Sequence, residues 1–509
     1  MTATGNRDLT IGEHYLRRTV YQAEELFAQV MREEPIGADP SPFKIYREVR
    51  RFALPGGLPE EPAALDGPLT ERDLSTLLFY GYGFARHDVG PGAVWPYHRM
   101  VPSARCYFPT ELYLWLPATG GLPAGVYHYD PLHHALALLR AGDFRAELAR
   151  ILGAPVGDVA GVLLLSSLFW KNAFKYRGYS YRLCAQEVGM VAGNTERVAG
   201  SLGLHSRIHY QFLDRAAGRL LGLDDSEEHL FAALVLEPGP AGEAGGPAAP
   251  VPELVTEHVR PEGPRHAHDP LFRSIADNCL LADPAEFRQE TGTTQACTDG
   301  SVLPVPAGAP AGLGLGAALR SRTSGNVLFN PVPGVLPIDA FRAITGPATA
   351  PYRCDLRPGT AVPGITMHVV ARSVDGLAPG VHRFCPEHAG LHPVKEADLT
   401  RPLQGALPVP NINLLSSAMV VYLSGDYTAA SRTFGNRAYR ILNLEAGVVA
   451  QRLCLDSAAH GLSARVHNGY DAALVAGILG LDETGLTPFF QIAVAHNRPG
   501  VQVGLPIMF

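Results

Sequence analysis

Two stretches of the chain, 258 residues apart, are copies of one another. Residues 174–189 read FKYRGYSYRLCAQEVG and residues 432–447 read RTFGNRAYRILNLEAG. Tyr181-Arg182 matches Tyr439-Arg440, Glu187 and Gly189 match Glu445 and Gly447, and Gly203-Leu204 matches Gly461-Leu462 at that single offset. Leu221 to Asp224 likewise matches Leu479 to Asp482, and GLPAGVYHYDPLHHAL (121–136) answers GLAPGVHRFCPEHAGL (376–391) at an offset of 255. A register held this long, with so great a period, means a duplicated domain rather than a solenoid. The 509 residues are also too many for one typical core. Two copies in one chain behave as a fused homodimer, in which each copy is free to lose what the other supplies.

Each copy carries apolar strand-like runs, ELYLWLP (111–117) and MHVVARS (367–373), leading to a Pro-Gly turn and a short second strand. A stretch with apolar residues at helical spacing follows, 181–203 in the first copy. A shorter helix ends in Leu-Gly-Leu-Asp, and a final strand closes each copy, FAALVLE (231–237) and FFQIAVA (489–495). Strands interleaved with long helices give an α+β domain used twice. EPGPAGEAGGPAAPVPE (237–253) and VPAGAPAGLGLGAA (305–318) read as Pro/Gly/Ala-rich linkers.

Composition narrows the function classes. A formal charge of −7 leaves no basic stripe for nucleic acid. The N-terminus lacks the apolar core of a signal peptide, and AGVLLLSSLFW (160–170) is too short to span a bilayer, so no membrane is expected. Seven scattered cysteines without a CxxC pair fit a reducing cytoplasm rather than a disulfide framework and make zinc improbable; no metal is expected. His133-His134 and His266-x-His268 have no partner cluster, and GLGLG (312–316) lacks the spacing and preceding strand of a dinucleotide loop.

HRMVPSARCYFPTELYLW (98–115), the Pro-Gly-turn strand, the YR…EVG helix and RSRTSGNVLF (320–329) together resemble the SagB-type branch of the nitroreductase-like flavoproteins. The resemblance covers most of residues 67–509. It implies two tandem nitroreductase-like domains, 67–240 and 319–509, joined by a linker region 241–318 and preceded by an extension 1–66 whose role the sequence does not give. It also implies FMN at the interface between the copies, phosphate held by one and ring by the other. The activity implied is oxidation of thiazoline or oxazoline rings to azoles in a ribosomally made peptide, electrons passing to oxygen, with that precursor peptide and a cyclodehydratase as partners. A generalist NAD(P)H-dependent nitro- or quinone reductase and a non-catalytic scaffold are the alternatives, and further dimerisation of the pseudo-dimer stays open.

Complementary losses place that site. Arg322, Thr323, Ser324 and Asn326 offer a guanidinium, hydroxyls and donors to a phosphate, whereas the first-copy counterpart, PGGLP (55–59), has neither cation nor hydroxyl. Arg498 in the second copy faces Pro240 in the first. Conversely, Pro102, Ser103 and Ala104, which the family resemblance makes the seat of the flavin ring together with Arg105, stand where the second copy has Pro358-Gly359-Thr360. The resemblance adds Asn468 and Gly469 to the cofactor set. Cys106, inside the seat, reads as a small apolar filler, and Tyr181-Arg182, present in both copies, as packing. Lys175 and Tyr176 are kept only where the twin has Thr433-Phe434. SagB-type enzymes resemble this chain in carrying such a Lys-Tyr pair for deprotonation. An ordinary lysine, pKa about 10.4, is a poor base at neutral pH, so the expectation is a partly buried one.

Overall fold

The structure, a computed structural model, describes residues 5–32, 39–90, 93–237, 251–254, 256–259, 269–290, 302–305, 312–498 and 503–507. The first half builds a seven-stranded sheet from β1 (Arg51–Ala53), β2 (Thr110–Leu116), β3 (Gly125–Asp130), β4 (Ala135–Ala141), β5 (Gly161–Leu168), β6 (His205–His209) and β7 (Glu228–Glu237). Its spatial order is β1-β4-β3-β2-β5-β7-β6, every pairing antiparallel. The second half repeats it with β8 (Leu303–Pro304), β9 (Thr366–Ala371), β10 (Gly380–Cys385), β11 (Gly390–Glu396), β12 (Met419–Gly425), β13 (Leu462–His467) and β14 (Thr487–His496). The order β8-β11-β10-β9-β12-β14-β13 is the first sheet with seven added to every label. The fold is therefore α+β and tandem. Inner strands such as β2, β5 and β7 are buried along their whole length, which is why they read as nearly continuous apolar runs.

Five helices matter for the site: α1 (Leu9–Leu16), α2 (Ala23–Arg32), α3 (Trp170–Tyr176), α4 (Ser180–Ser201) and α5 (Arg437–Ala459). The last two, the repeated Tyr-Arg…Glu-x-Gly stretches, cross each other between the sheets. The repeated glycines lie at that crossing. A Cβ on Gly189 would sit 2.1 Å from the Leu444 carbonyl oxygen, and one on Gly447 would sit 2.3 Å from that of Gln186. Only glycine permits two backbones to come this close.

The repeated Tyr-Arg pairs are packing, as their presence in both copies implies. Arg182 donates to Phe489 O on β14 and, at 2.7 Å, to Thr19 O; Arg440 donates to Leu230 O on β7 and to Asp214. Each arginine thus ties its helix to the other half's last strand. Helix α1 wedges beside them, with the Tyr15 ring 6.1 Å from Tyr181 and 5.0 Å from Tyr439. The chain end also crosses over, Val503–Pro506 pairing with Phe84–Val89 of the first half.

Two expectations need correction. The 241–318 region is not linker throughout. Although 241–250 lies outside the described residues, Pro270–Asn278 is a helix capped by Asp269 with Phe272, Ile275 and Ala276 fully buried, and β8 is an edge strand of the second sheet. Residues 315–321, entered through GLGLG, are helical too. The i, i+3, i+4 spacing behind an Asp-Pro start was the available signal, hidden by the flanking Pro/Gly runs. Secondly, Cys385 is disulfide-bonded, whereas Cys106, Cys184, Cys279, Cys354 and Cys454 are free thiols. The bond takes Cys385 out of the one Cys-His group among the described residues with metal-like spacing, Cys385 with His388 and His392.

The crossing generates a test. Gly447→Val should cost about 3 kcal/mol or more by overpacking, measured by urea unfolding. Gly200→Ala, on the same helix pair but with open space around its Cβ, should be neutral or stabilising by up to about 1 kcal/mol.

Candidate active site

A cavity of about 510 Å³ opens between the halves, within the range of cofactor and ligand sites. From the first half come Pro102, Ser103, Ala104, Arg105, Lys175 and Tyr176; from the second come Arg322, Thr323, Ser324, Asn326, Asn468 and Gly469. Arg498 is not among them. It is exposed and its Nε donates to Asn330 O at 2.9 Å, because β14 ends at His496 and the chain has left the sheet before reaching it.

The loop 102–108 forms one wall. Arg105, Cys106 and Phe108 all hold positive φ, 53°, 54° and 49°, a left-handed conformation that residues with a Cβ resist. Phe108 N–H donates to Ser103 Oγ at 2.9 Å, closing the loop on itself. The Arg105 guanidinium lies 5.5 Å from the Trp95 ring. Burial pushes the Cys106 thiol up to about 12, so it is no nucleophile.

The opposite wall is cationic. Arg322, the expected phosphate anchor, is buried and already donates Nε to Met100 O at 3.0 Å and Nη2 to Arg99 O at 3.2 Å, while Nη1 meets Ser324 Oγ at 3.3 Å. It is thus first a strut between the halves. Two further arginines, not selected from the sequence, share the wall. Arg465 on β13 donates Nη2 to Val327 O at 2.9 Å and leaves Nε without a partner; Arg86 reaches Arg322 O at 3.2 Å and pairs with Asp88. The signal for Arg465 was alternation along LSARVH, which sends every second side chain to the same face. Nothing local marked Arg86.

Lys175 is buried at 7 % exposure, and among the described residues it makes no hydrogen bond or ion pair. Burial pushes the Tyr176 phenol up to about 12, against the opposing pull of Arg105. Helix α2 of the N-terminal extension supplies Phe27, whose ring lies 4.8 Å from that of Tyr179 at the cavity edge.

The repeated glutamates, Glu187 and Glu445, are held differently. Glu187 accepts from Tyr82 Oη at 2.9 Å and Thr110 Oγ1 at 3.1 Å, and burial raises its carboxyl. Glu445, its twin, is gripped by both Nη atoms of Arg357, at 2.7 and 3.0 Å, and by Tyr352 and Gly364. Arg357 in turn bonds Glu290 at 2.7 Å. Where Glu187 borders the cavity, its repeat twin thus sits in a Glu290–Arg357–Glu445 ion cluster.

Comparison with known proteins gives the lineage. No family model matches the chain. It is 30% identical over 165 residues to a Methanocaldococcus jannaschii protein assigned as a nitroreductase, spanning 31% of this chain and 77% of that one. The chain belongs to the nitroreductase-like family of oxidoreductases. It is also 30% identical over 141 residues to the Escherichia coli microcin B17-processing protein McbC, covering 26% of this chain and about half (51%) of McbC; that match sides with the SagB-type branch. The solved structure of an Anabaena variabilis protein assigned as a nitroreductase superposes on 96% of this chain and 99% of its own, with a TM-score of 0.73 at 21% identity. The nitroreductase-like fold therefore extends over both halves, and no helix among the described residues is long and apolar enough to cross a membrane.

The site's histidines predict an acid response. Burial depresses His98 and His467 from 6.5 to about 4, so between those values the folded chain binds fewer protons than the unfolded one. Their contribution to stability is complete above pH 6.5 and is lost as pH falls toward 4. Urea midpoints should drop across that window, and His467→Gln should reduce the slope; an unaltered slope would contradict the desolvation of His467.

Proposed function

We propose that the chain is an FMN-dependent dehydrogenase that oxidises azoline rings to azoles in a peptide, with electrons passing on to oxygen. One observation carries the reading: an unpaired lysine and a protonated phenol, present in one half only, share a cavity with Arg322 and Arg465 of the other half. The McbC match supports a peptide as substrate and a cyclodehydratase as partner.

The residues fit the cofactor. The Arg465 Nε lacks a partner, and with Arg322 Nη1 and the Thr323 and Ser324 hydroxyls it suits a phosphate dianion. Asn468, fixed by its Nδ2 bond to Gln186 Oε1 at 2.6 Å, and the 102–105 loop would flank the ring. Bound FMN would accept the hydride that leaves the azoline carbon. Lys175, with no acidic partner, takes the ring proton as general base. Tyr176 keeps its proton at neutral pH and donates a hydrogen bond that orients the heterocycle. Phe27 and Tyr179 cover the cavity edge against water.

A second reading, an NAD(P)H-dependent nitro- or quinone reductase, draws on the longer archaeal match, but a hydride relay gives no use for the lysine.

The purified protein should carry one FMN per chain, since Glu445, the twin of cavity-lining Glu187, is engaged by the Arg357 cluster and the second half lacks the Lys-Tyr pair; two equivalents would defeat the shared-site reading. Arg465→Ala should weaken FMN retention about ten- to hundredfold, the worth of one charge-assisted contact, measured by flavin release on dilution. Lys175→Ala should stay yellow and lose azoline oxidation by about a hundredfold or more, with Thr433→Ala unchanged. Rapid NADPH oxidation with a nitroaromatic and none on azoline peptides would select the second reading.

A further inference from the structure

Helix α3 carries two lysines one turn apart, and only Lys175 borders the cavity. Lys171 turns into the core at 1 % exposure, donating to Glu111 Oε1 at 2.7 Å and to the Phe108 carbonyl at 3.0 Å. Glu111, on β2, takes His128 Nε2 on its other oxygen at 3.1 Å. Burial alone would raise the Glu111 carboxyl, but Lys171 and the His128 bond outweigh it and hold it below the usual carboxylate range. Burial pulls the Lys171 ammonium below the usual lysine range, against the opposing pull of Glu111, and both side chains are closed off from solvent.

Such a pair adds little net stability, because desolvating two charges offsets their attraction. The duplicated half demonstrates that the fold does not require it. Glu111 pairs across the sheet with Ser166, and Thr366 pairs with Ser424, the repeat partner of Ser166; Thr366 is therefore the structural twin of Glu111. Lys171 falls opposite Ala429 in the helix Tyr427–Phe434. The second half thus builds the same strand and the same helix with a threonine and an alanine.

What the first half has and the second lacks is the strained loop ending at Phe108. Both backbone polar groups of Phe108 are held, its N–H by Ser103 Oγ and its C=O by Lys171 Nζ. Left-handed residues in a row persist only where the surroundings over-determine them, and Lys171 is the hydrogen bond that ties this loop to the helix bearing Lys175 and Tyr176, beside the edge-on contact of Tyr107 with Phe174.

We propose that Lys171, held by Glu111, is a positioning residue that fixes the 102–108 loop, and with it a bound flavin ring, relative to Lys175 and Tyr176. The inference rests on the flavin site proposed above.

Lys171→Met alone strands a buried carboxylate and risks misfolding, so the decisive variant is Lys171→Met/Glu111→Gln, in which both charges are gone. It should unfold at the wild-type urea midpoint or above. Its FMN should be released about tenfold faster and show an altered visible circular-dichroism band. Flavin reduction by an azoline peptide should slow at least tenfold, with KM within about twofold. A folded double variant with wild-type flavin release, dichroism and reduction rate would overturn the proposal, as would a loss of urea stability with those flavin properties intact. Wild-type protein that binds no FMN would instead defeat the site reading, and this inference with it.

Discussion

Two helices meeting backbone to backbone set the rest of the molecule. Helices α4 and α5 come so close at Gly189 and Gly447 that a single methyl group would collide with a carbonyl of the partner, and this contact joins the two repeated halves. From it follow the arginines that reach the opposite half's last strand, and the cavity, which needs walls from both halves. Glutamate two residues before each glycine then falls beside its own half's 102–108 or 358–364 loop, and a Glu-x-Gly repeat becomes a crossing plus an anchor.

Symmetry in the frame makes asymmetry in the side chains informative. Where two copies share a backbone, a difference at equivalent positions is not required by that backbone. Glu187 is met by hydroxyls and borders the cavity, whereas Glu445 is met by a guanidinium. The N-terminal extension adds a further inequality, since α1 touches both long helices through Tyr15 while Phe27 of α2 borders the cavity. Two ionisable systems of the first half, Lys175-Tyr176 and Lys171-Glu111, have apolar or uncharged counterparts in the second.

Two of the three arginines described in the cationic wall, Arg465 and Arg86, were not selected from the sequence. Arg322 belongs to a recognisable motif, yet most of its donors join the halves. Arg465 has the freer guanidinium and sits in a strand whose pattern says only that it faces one side. Arg498 had the same kind of positional support as Arg322 and lies outside the cavity, because a repeat offset locates a residue along the chain and not the direction of its side chain.

The sequence by itself determined the duplication, the α+β class, the long helices, the final strands and the confinement of the Lys-Tyr pair to the first half, because each leaves a local trace: a repeat at fixed offset, apolar periodicity, or a pair present once and absent once. Tertiary structure alone decided which arginines face the cavity, that the 241–318 region contributes a core helix and an edge strand, that Cys385 is oxidised, and that Phe27 of α2 borders the cavity. These depend on contacts between positions hundreds of residues apart, such as Tyr15 with Tyr439 or Arg322 with Met100. No local propensity records them, because packing and charge burial are settled only when both halves close on the shared helices.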